Sequence, residues 1–528
     1  MQHNLGMALV KAGALAEAMP SLEQAVRLEP GSADAWNSLG YTQWQMGQFA
    51  EAQASLGRAV QLDPQHAQAH LNRAMLRLLL ADFANGWPEY EWRWQAANVS
   101  LPPFHRPAWD GTPLAGRTIL LHTEQGAGDT IQFVRYATLV KQRGATVFLA
   151  CPASLVPLLS TCPGIDKVFA KGEALPDFEV HAPLLSLPRL FDTTAATIPR
   201  GVPYLSAQPL AALRPDLHRK LGGKRWFKIG IAWQGSRKYG EDASRSVPLA
   251  RFAPLAAVKG VRLFSLQKGD GIEQLEQVDV DVIDLGRGLD EKTGAFVETA
   301  AVVQNLDLVV TADTAVAHLA GALSVPVWVA LPHVPNWRWG VDGDDSPWYP
   351  SLRLFRQTER GSWEPVFHQI AEALRARIAD RGHARPVRVH MAPGELLDRI
   401  TILQIKAERI TDQARLHHVR TELDVLLAAR AEAIPESAEL ARLTAELRKV
   451  NEALWGAEDR LRAYERAADF GRDFVEVARS VYQQKATPYC PGFTPVCRGS
   501  GSSGKVRRAR CRCHRPGQYR PLRSRWFR

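Results

Sequence analysis

Cysteine, acidic residues near the C-terminal end and long apolar runs are what this 528-residue chain is short of. Only Cys151 and Cys162 lie before residue 484, while Cys490, Cys497, Cys511 and Cys513 crowd the end. That distribution excludes a disulfide-stapled scaffold and fits a reducing setting. From Lys485 to Arg528 there are twelve Lys/Arg and no Asp/Glu, which leaves 53 of the 65 basic side chains and all 55 acidic ones in residues 1–484. The formal net charge of +10 therefore belongs to the tail and gives no reason to expect a nucleic-acid partner for the body. No apolar run is long enough for a transmembrane segment and no secretory signal opens the chain. The expected location is cytoplasmic, at most peripheral at the inner face of the membrane.

The tail has the composition of a segment that builds no core, so residues 485–528 are expected to be disordered. Its cysteines with His514 lack the paired short spacings of zinc sites, and Cys511-Arg512-Cys513 is too tight for a knuckle. A reading-frame shift explains an acid-free, Arg- and Cys-rich end better than selection does. The rival is a genuine basic arm for nucleic acid or anionic lipid.

What is present begins with a repeat. Asn4-Leu5-Gly6, Ser38-Leu39-Gly40 and Asn72-Arg73-Ala74 lie in register, as do Gly13, Gly47 and Ala81, and Pro30 matches Pro64. The 34-residue period, with small residues where paired helices touch, is that of a tetratricopeptide (TPR) array over residues 1–98. Two units are complete and a third degenerates into Gly86–Trp92, while Pro20 breaks the pattern inside a helix.

Short apolar runs then alternate with helical stretches, the pattern of parallel sheets buried on both faces. Strands are expected at Thr118–His122, Thr146–Cys151, Phe227–Trp233, Val261–Leu266, Val278–Leu285, Leu306–Thr311 and Val325–Ala330. The basic stretch Arg214–Arg225 divides them into lobes at residues 114–220 and 221–382. Residues 390–484 read as a helical hairpin domain: Leu396, Ile400, Leu403 and Ala407 mark one face, and after Pro435 the stripe resumes at Leu440, Leu443, Leu447, Val450, Leu454 and Leu461.

Chemistry-bearing residues fall at the strand-to-helix turns. After the first strand comes Glu124-Gln125-Gly126-Ala127-Gly128-Asp129, where glycine permits close backbone approach and Asp129 is either an N-cap or a catalytic carboxylate. After the strand at Leu306 comes Asp313-Thr314, then a helix carrying His318 on the face opposite Val316, Leu319, Ala320 and Leu323. Free N–H groups at such a helix start suit an anion, and a nearby imidazole adds a donor. Gln234-Gly235, followed by a cationic loop to Arg245, suits a diphosphate; Gln267-Lys268 suits a base or ribose. A capped, solvated set of turns is the plainer alternative. The acidic patches Asp279/Asp281 and Asp342–Asp345 are too short to argue for a metal, and none is expected. The aromatics of Asn336–Trp339 and Ser346–Pro350 suit sugar rings or packing beneath a loop equally.

Together, EQGAGDTIQFVRY (Glu124–Tyr136), Ile231–Leu249, SLQK (Ser265–Lys268), TADTAVAHLAGAL (Thr311–Leu323), Asn336–Trp339 with Ser346–Pro350, and RLFRQ (Arg353–Gln357) resemble TPR glycosyltransferases whose catalytic region is similar to the lipopolysaccharide heptosyltransferases of glycosyltransferase family 9. The resemblance covers residues 1–380. It implies a GT-B fold of two Rossmann-like lobes, so the chain as a whole is expected to be multidomain: a TPR solenoid, α/β GT-B lobes, a helical hairpin domain and a tail. It also implies Asp129 as general base, Asp313, Thr314 and His318 at the donor phosphates, and Arg245 as a cationic phosphate contact. Glu124, Gln125, Gly126 and Gly128 would then form the acceptor-side turn. Gln234, Gly235, Gln267 and Lys268 would complete the donor side.

The function implied is inverting, metal-independent transfer of a sugar from a nucleotide-sugar substrate, without a cofactor, to a protein or glycan acceptor brought by the repeats. A non-catalytic TPR scaffold that binds nucleotide or glycan is the alternative. The segments Gly394–Arg409, Asn451–Trp455 and Ala478–Tyr482 resemble an uncharacterised helical domain sometimes fused to such enzymes.

Overall fold

The computed structural model describes residues 1–96, 104–223, 225–237, 242–381, 393–410, 412–434, 436–467 and 469–486. Two compact units result, Met1–Arg385 and Pro386–Arg528. Among the described residues no helix is long and apolar enough to cross a membrane.

The first unit opens with three antiparallel helix pairs: α1 (Gln2–Lys11) with α2 (Leu15–Leu28), α3 (Ala33–Gln45) with α4 (Phe49–Leu62), and α5 (Ala67–Leu79) with α6 (Phe83–Tyr90). Small residues recur because the helices touch there: a Cβ on Gly6 would stand 2.6 Å from Leu22, and one on Gly40 2.7 Å from Leu56 Cγ. Gly13 and Gly47 take left-handed turns at φ 79° and 80°, and Ala81 adopts the same conformation at φ 61°. An alanine there stores roughly 1 kcal/mol of strain. The third unit departs from the pattern over Gly86–Trp92 as expected: its second helix is shortened to Phe83–Tyr90. Gly86 packs against Leu78, after which Trp87 and Tyr90 leave the repeat pattern to enter the next layer.

Two fully parallel sheets follow. The first runs β3-β2-β1-β4, with β1 Thr118–His122, β2 Thr146–Cys151, β3 Lys167–Ala170 and β4 Val180–Pro183. The second runs β10-β9-β8-β5-β6-β7, with β5 Phe227–Ala232, β6 Val261–Ser265, β7 Val282–Asp284, β8 Leu308–Ala312, β9 Val327–Leu331 and β10 Leu352–Arg356. Both orders reverse once, between β1 and β4 and between β5 and β8. These are Rossmann-like lobes in a GT-B arrangement, and ligands of such sheets sit beyond the strand C-termini at the reversal.

The expected strand Val278–Leu285 is reduced to β7, because its alternation lies at the sheet edge with only Val282–Asp284 paired to β6. Strands β3, β4 and β10 escaped sequence reading: two are four residues long and β10 carries two arginines.

The second unit holds helices Pro393–Arg409, Gln413–Ala433, Ala438–Ala467 and Arg472–Ala486. Leu396, Ile400 and Leu403 are buried as the stripe requires, and Asn451 Nδ2 donates to Asp398 Oδ1 at 2.8 Å and Thr401 Oγ1 at 2.9 Å. Leu443 of the second stripe is exposed. Pro435 and the cysteine-bearing tail lie outside the described residues.

Candidate active site

Beyond the C-terminal ends of β1, β5, β6 and β8 lies a cavity of about 930 Å³. Glu124, Gln125, Gly126, Gly128 and Asp129 line it from the first lobe, and Gln234, Gly235, Arg245, Gln267, Lys268, Asp313, Thr314 and His318 from the second. The structure therefore brings every site residue expected from sequence to one place. The helix α7 (Ala127–Phe133) packs against the helix Ala315–Ala322, where a Cβ on Gly128 would lie 3.1 Å from His318 Cδ2 and 3.5 Å from Ala315 Cα. Only glycine allows that contact without displacement.

On the first-lobe face, Asp129 is not an N-cap. Gly126 holds that place, and Asp129, at the third helical position, accepts the Gly126 N–H through Oδ2 at 3.0 Å. Its Oδ1 is ion-paired with Arg338 Nη2. Arg338 is buried, donates through Nε to Gln132 Oε1 at 2.8 Å and through Nη1 to Asn336 Oδ1 at 2.7 Å, and lies 4.2 Å over the Trp337 ring. Glu124 is committed too: both its oxygens take Arg93 of the repeat region, at 2.9 and 3.0 Å, and Oε1 also accepts Leu185 N. Burial raises the Glu124 carboxyl while Arg93 opposes the shift. Gln125 donates to the Tyr90 hydroxyl at 3.2 Å.

On the second-lobe face, Arg245 folds over Gly235 and pairs with buried Asp242 at 3.3 Å. A side chain on Gly235 would collide with the Arg245 guanidinium and stand 2.7 Å from Asp242 Oδ1. Lys268 Nζ meets Asp290 Oδ2 at 3.0 Å. Gln267 spends its amide on backbone, accepting Trp233 N and Gln234 N through Oε1 and donating to the Gln234 and Asp270 carbonyls. It braces the turn that carries Gln234. Burial raises the Asp313 carboxyl, and the Arg245 charge is the first of the influences that oppose it. Thr314 caps the helix Ala315–Ala322, its hydroxyl 3.0 Å from Thr311 Oγ1.

His318 corrects the sequence reading. The face opposite the apolar stripe is not solvated, because the helix is wedged between the lobes and buried from Val316 to Ala322. The imidazole is 4 % exposed, stacked on Trp339, with Nδ1 3.0 Å from the Tyr349 hydroxyl. Burial, then Arg338, Arg135 and Arg245, push its pKa well below the ordinary histidine value. That environment favours the uncharged ring. The other aromatics are packed, Trp337, Trp339, Trp348 and Tyr349 each at most 3 % exposed, and Trp337 also lines the cavity.

Sequence reading missed Arg338's pairing, the buried partners Asp242 and Asp290, and a wall contributed by the repeat region: Leu71, Met75, Tyr90, Arg93 and Trp94. The local periodicity of α5 does mark Leu71 and Met75, one turn apart, as apolar positions on the rim. Nothing local marks the rest.

A family model described as tetratricopeptide repeat matches residues 9–83, and those residues are such repeats. Protein FlbA of Caulobacter vibrioides is 30 % identical over 336 residues, covering 57 % of this chain and 54 % of its own; the chain thus spans about half the length of that curated relative. Among solved structures, the glycosyl transferase family 9 protein from Veillonella parvula is 12 % identical with a TM-score of 0.39, covering 51 % of this chain and 99 % of its own. The ADP-heptose lipopolysaccharide heptosyltransferase II of Escherichia coli is 14 % identical with a TM-score of 0.35, covering 50 % and 99 %.

Proposed function

We propose that the chain is a glycosyltransferase that moves a sugar from a nucleotide-sugar donor to a protein or glycan acceptor with inversion at the anomeric carbon. One observation carries the reading: Asp129 of one lobe and the Thr314–His318 helix start of the other face each other across a single cavity, with Arg245 and Lys268 on the donor side.

In this reading Asp129 takes the proton from an acceptor hydroxyl as its oxygen bonds to the anomeric carbon. The bond from that carbon to the diphosphate breaks in the same step. Each Asp129 oxygen has two lone-pair positions and gives one to a donor already described, so an acceptor hydroxyl still finds a place. The departing nucleoside diphosphate gains negative charge, met by the amides at the start of Ala315–Ala322, His318, Arg245 and Lys268. These fixed donors and cations take the role a divalent ion has elsewhere, so turnover is expected to survive chelation by EDTA.

The test is a binding and transfer assay with ADP-, GDP-, UDP-, CMP- and dTDP-sugars. Wild type is expected to bind one donor class and turn it over. Asp129→Asn should keep donor affinity within threefold and lose at least 10³-fold in rate, about 4 kcal/mol of barrier. Unchanged turnover in that variant removes the base assignment.

The scaffold alternative draws on the Arg338–Asp129 pair, which already engages the carboxylate. It predicts binding without turnover in wild type as well as in Asp129→Asn.

A further inference from the structure

We infer that Tyr349 is a positioning residue for His318: its hydroxyl donates to Nδ1, which keeps the imidazole proton on Nε2 beside the cavity. The ligand class deepens the nucleotide-sugar reading and rests on it; the tautomer does not.

The direction of the hydrogen bond follows from its neighbours. Tyr204 accepts Arg135 Nη2 at 2.9 Å and has its own proton directed to the Ile131 carbonyl at 3.0 Å. The longer Tyr204–Tyr349 contact, 3.4 Å, has Tyr204 on the donor side, which leaves the Tyr349 proton for His318 Nδ1 at 3.0 Å. An imidazole nitrogen at the shorter distance is the better acceptor. The Arg135 guanidinium, 4.4 Å over the Tyr349 ring, favours a phenol that gives its proton toward the imidazole.

The ring is also fixed in place. Gly321, one turn after His318, lies directly against Tyr349, where a Cβ would stand 2.6 Å from the ring Cγ. Trp339 stacks on His318 with centroids 5.3 Å apart and planes at 18°. A buried histidine held by a tyrosine is ordinarily a satisfied core residue. Here the opposite edge decides otherwise: Cδ2, bonded to Nε2, faces Gly128 across the cleft, and the residue lines the cavity. With the proton on Nε2 that edge donates to an anionic oxygen such as a phosphate; with the proton on Nδ1 it presents a lone pair and repels one. Tyr349 therefore sets the sign of the contact.

The tautomer is read directly from two-bond ¹H–¹⁵N correlation spectra of full-length protein labelled with [¹⁵N]histidine, the His318 signals being those lost in His318→Gln. The expected wild-type pattern is Nε2–H, unchanged between pH 6 and 8. Tyr349→Phe, which leaves the ring in its slot, should shift His318 toward the Nδ1–H form. Gly321→Ala, which moves the ring but keeps the hydroxyl, should do the same. An Nδ1–H pattern in wild type, or an identical pattern in Tyr349→Phe, overturns the inference. Calorimetric titration with ADP, GDP, UDP, CDP and dTDP supplies the functional arm: the nucleotide that binds wild type should bind Tyr349→Phe about tenfold more weakly. If none of the five binds wild type, the nucleotide reading falls while the tautomer result still decides the role of Tyr349.

Discussion

The two faces of the cavity are held together in opposite ways. The second-lobe face is self-contained: Arg245 is held by Asp242 three residues away, and Lys268 by Asp290 of the same lobe. The first-lobe face is assembled from outside. Its two carboxylates are held by arginines that belong to other parts of the fold, Glu124 by Arg93 of the repeat region and Asp129 by Arg338 of the second lobe. A face that depends on imported cations is fragile to distant change; a self-contained one fails only locally.

The largest expected break in that contrast is Arg93→Met. It leaves Glu124, whose side chain is 5 % exposed, buried without its cation, and removal of one partner of such a pair costs about 3–5 kcal/mol. Urea unfolding should show that loss, and adding Glu124→Gln should restore part of it. Full stability in Arg93→Met would mean that the repeats do not anchor the turn.

A smaller effect is set by pH. Burial, then the neighbouring His181, push His122 at the end of β1 down to about 3, whereas in the unfolded chain it protonates near 6.5. Between those values the unfolded state binds more protons, so stability falls as pH drops below 6.5, on the order of 1 kcal/mol per pH unit. His122→Phe should flatten the first lobe's share of that slope in urea titrations at pH 7.5, 6 and 5. An equal slope in the variant would locate the proton uptake elsewhere.

The smallest is Gly235→Ala, which sharpens the contrast from the other side. The new methyl displaces Arg245 without touching the first lobe. Nucleotide binding should weaken about tenfold, about 1.4 kcal/mol, while Tm stays within one or two degrees. A large loss of stability would show that this face, too, is structurally coupled.

The same contrast explains what could be read in advance. The turns after β1, β5, β6 and β8 were legible because a strand, a glycine or small polar residue and a helix start are neighbours in sequence, and the parallel-sheet topology sends all such turns to one edge. Arg338 and Asp129 are 209 residues apart, and no local pattern links them. His318 misled for a related reason. Periodicity assigns a helix one buried face, whereas a helix between two lobes has two. The third repeat departs from the register where expected, and its helix pair closes with Ala81 in a glycine's conformation.

Trp87 has a consequence of a mechanical kind. Its indole N–H is fastened to the Thr193 carbonyl at 3.0 Å, and its ring meets Phe133, Trp337 and Trp348 within 6.4 Å. Arg93 clamped to Glu124 and Tyr90 accepting from Gln125 add further fastenings between the repeats and the turn after β1. The turn that ends at Asp129 therefore shares its packing with the repeats, so a change in the repeat layer has a short path of contacts to the cleft.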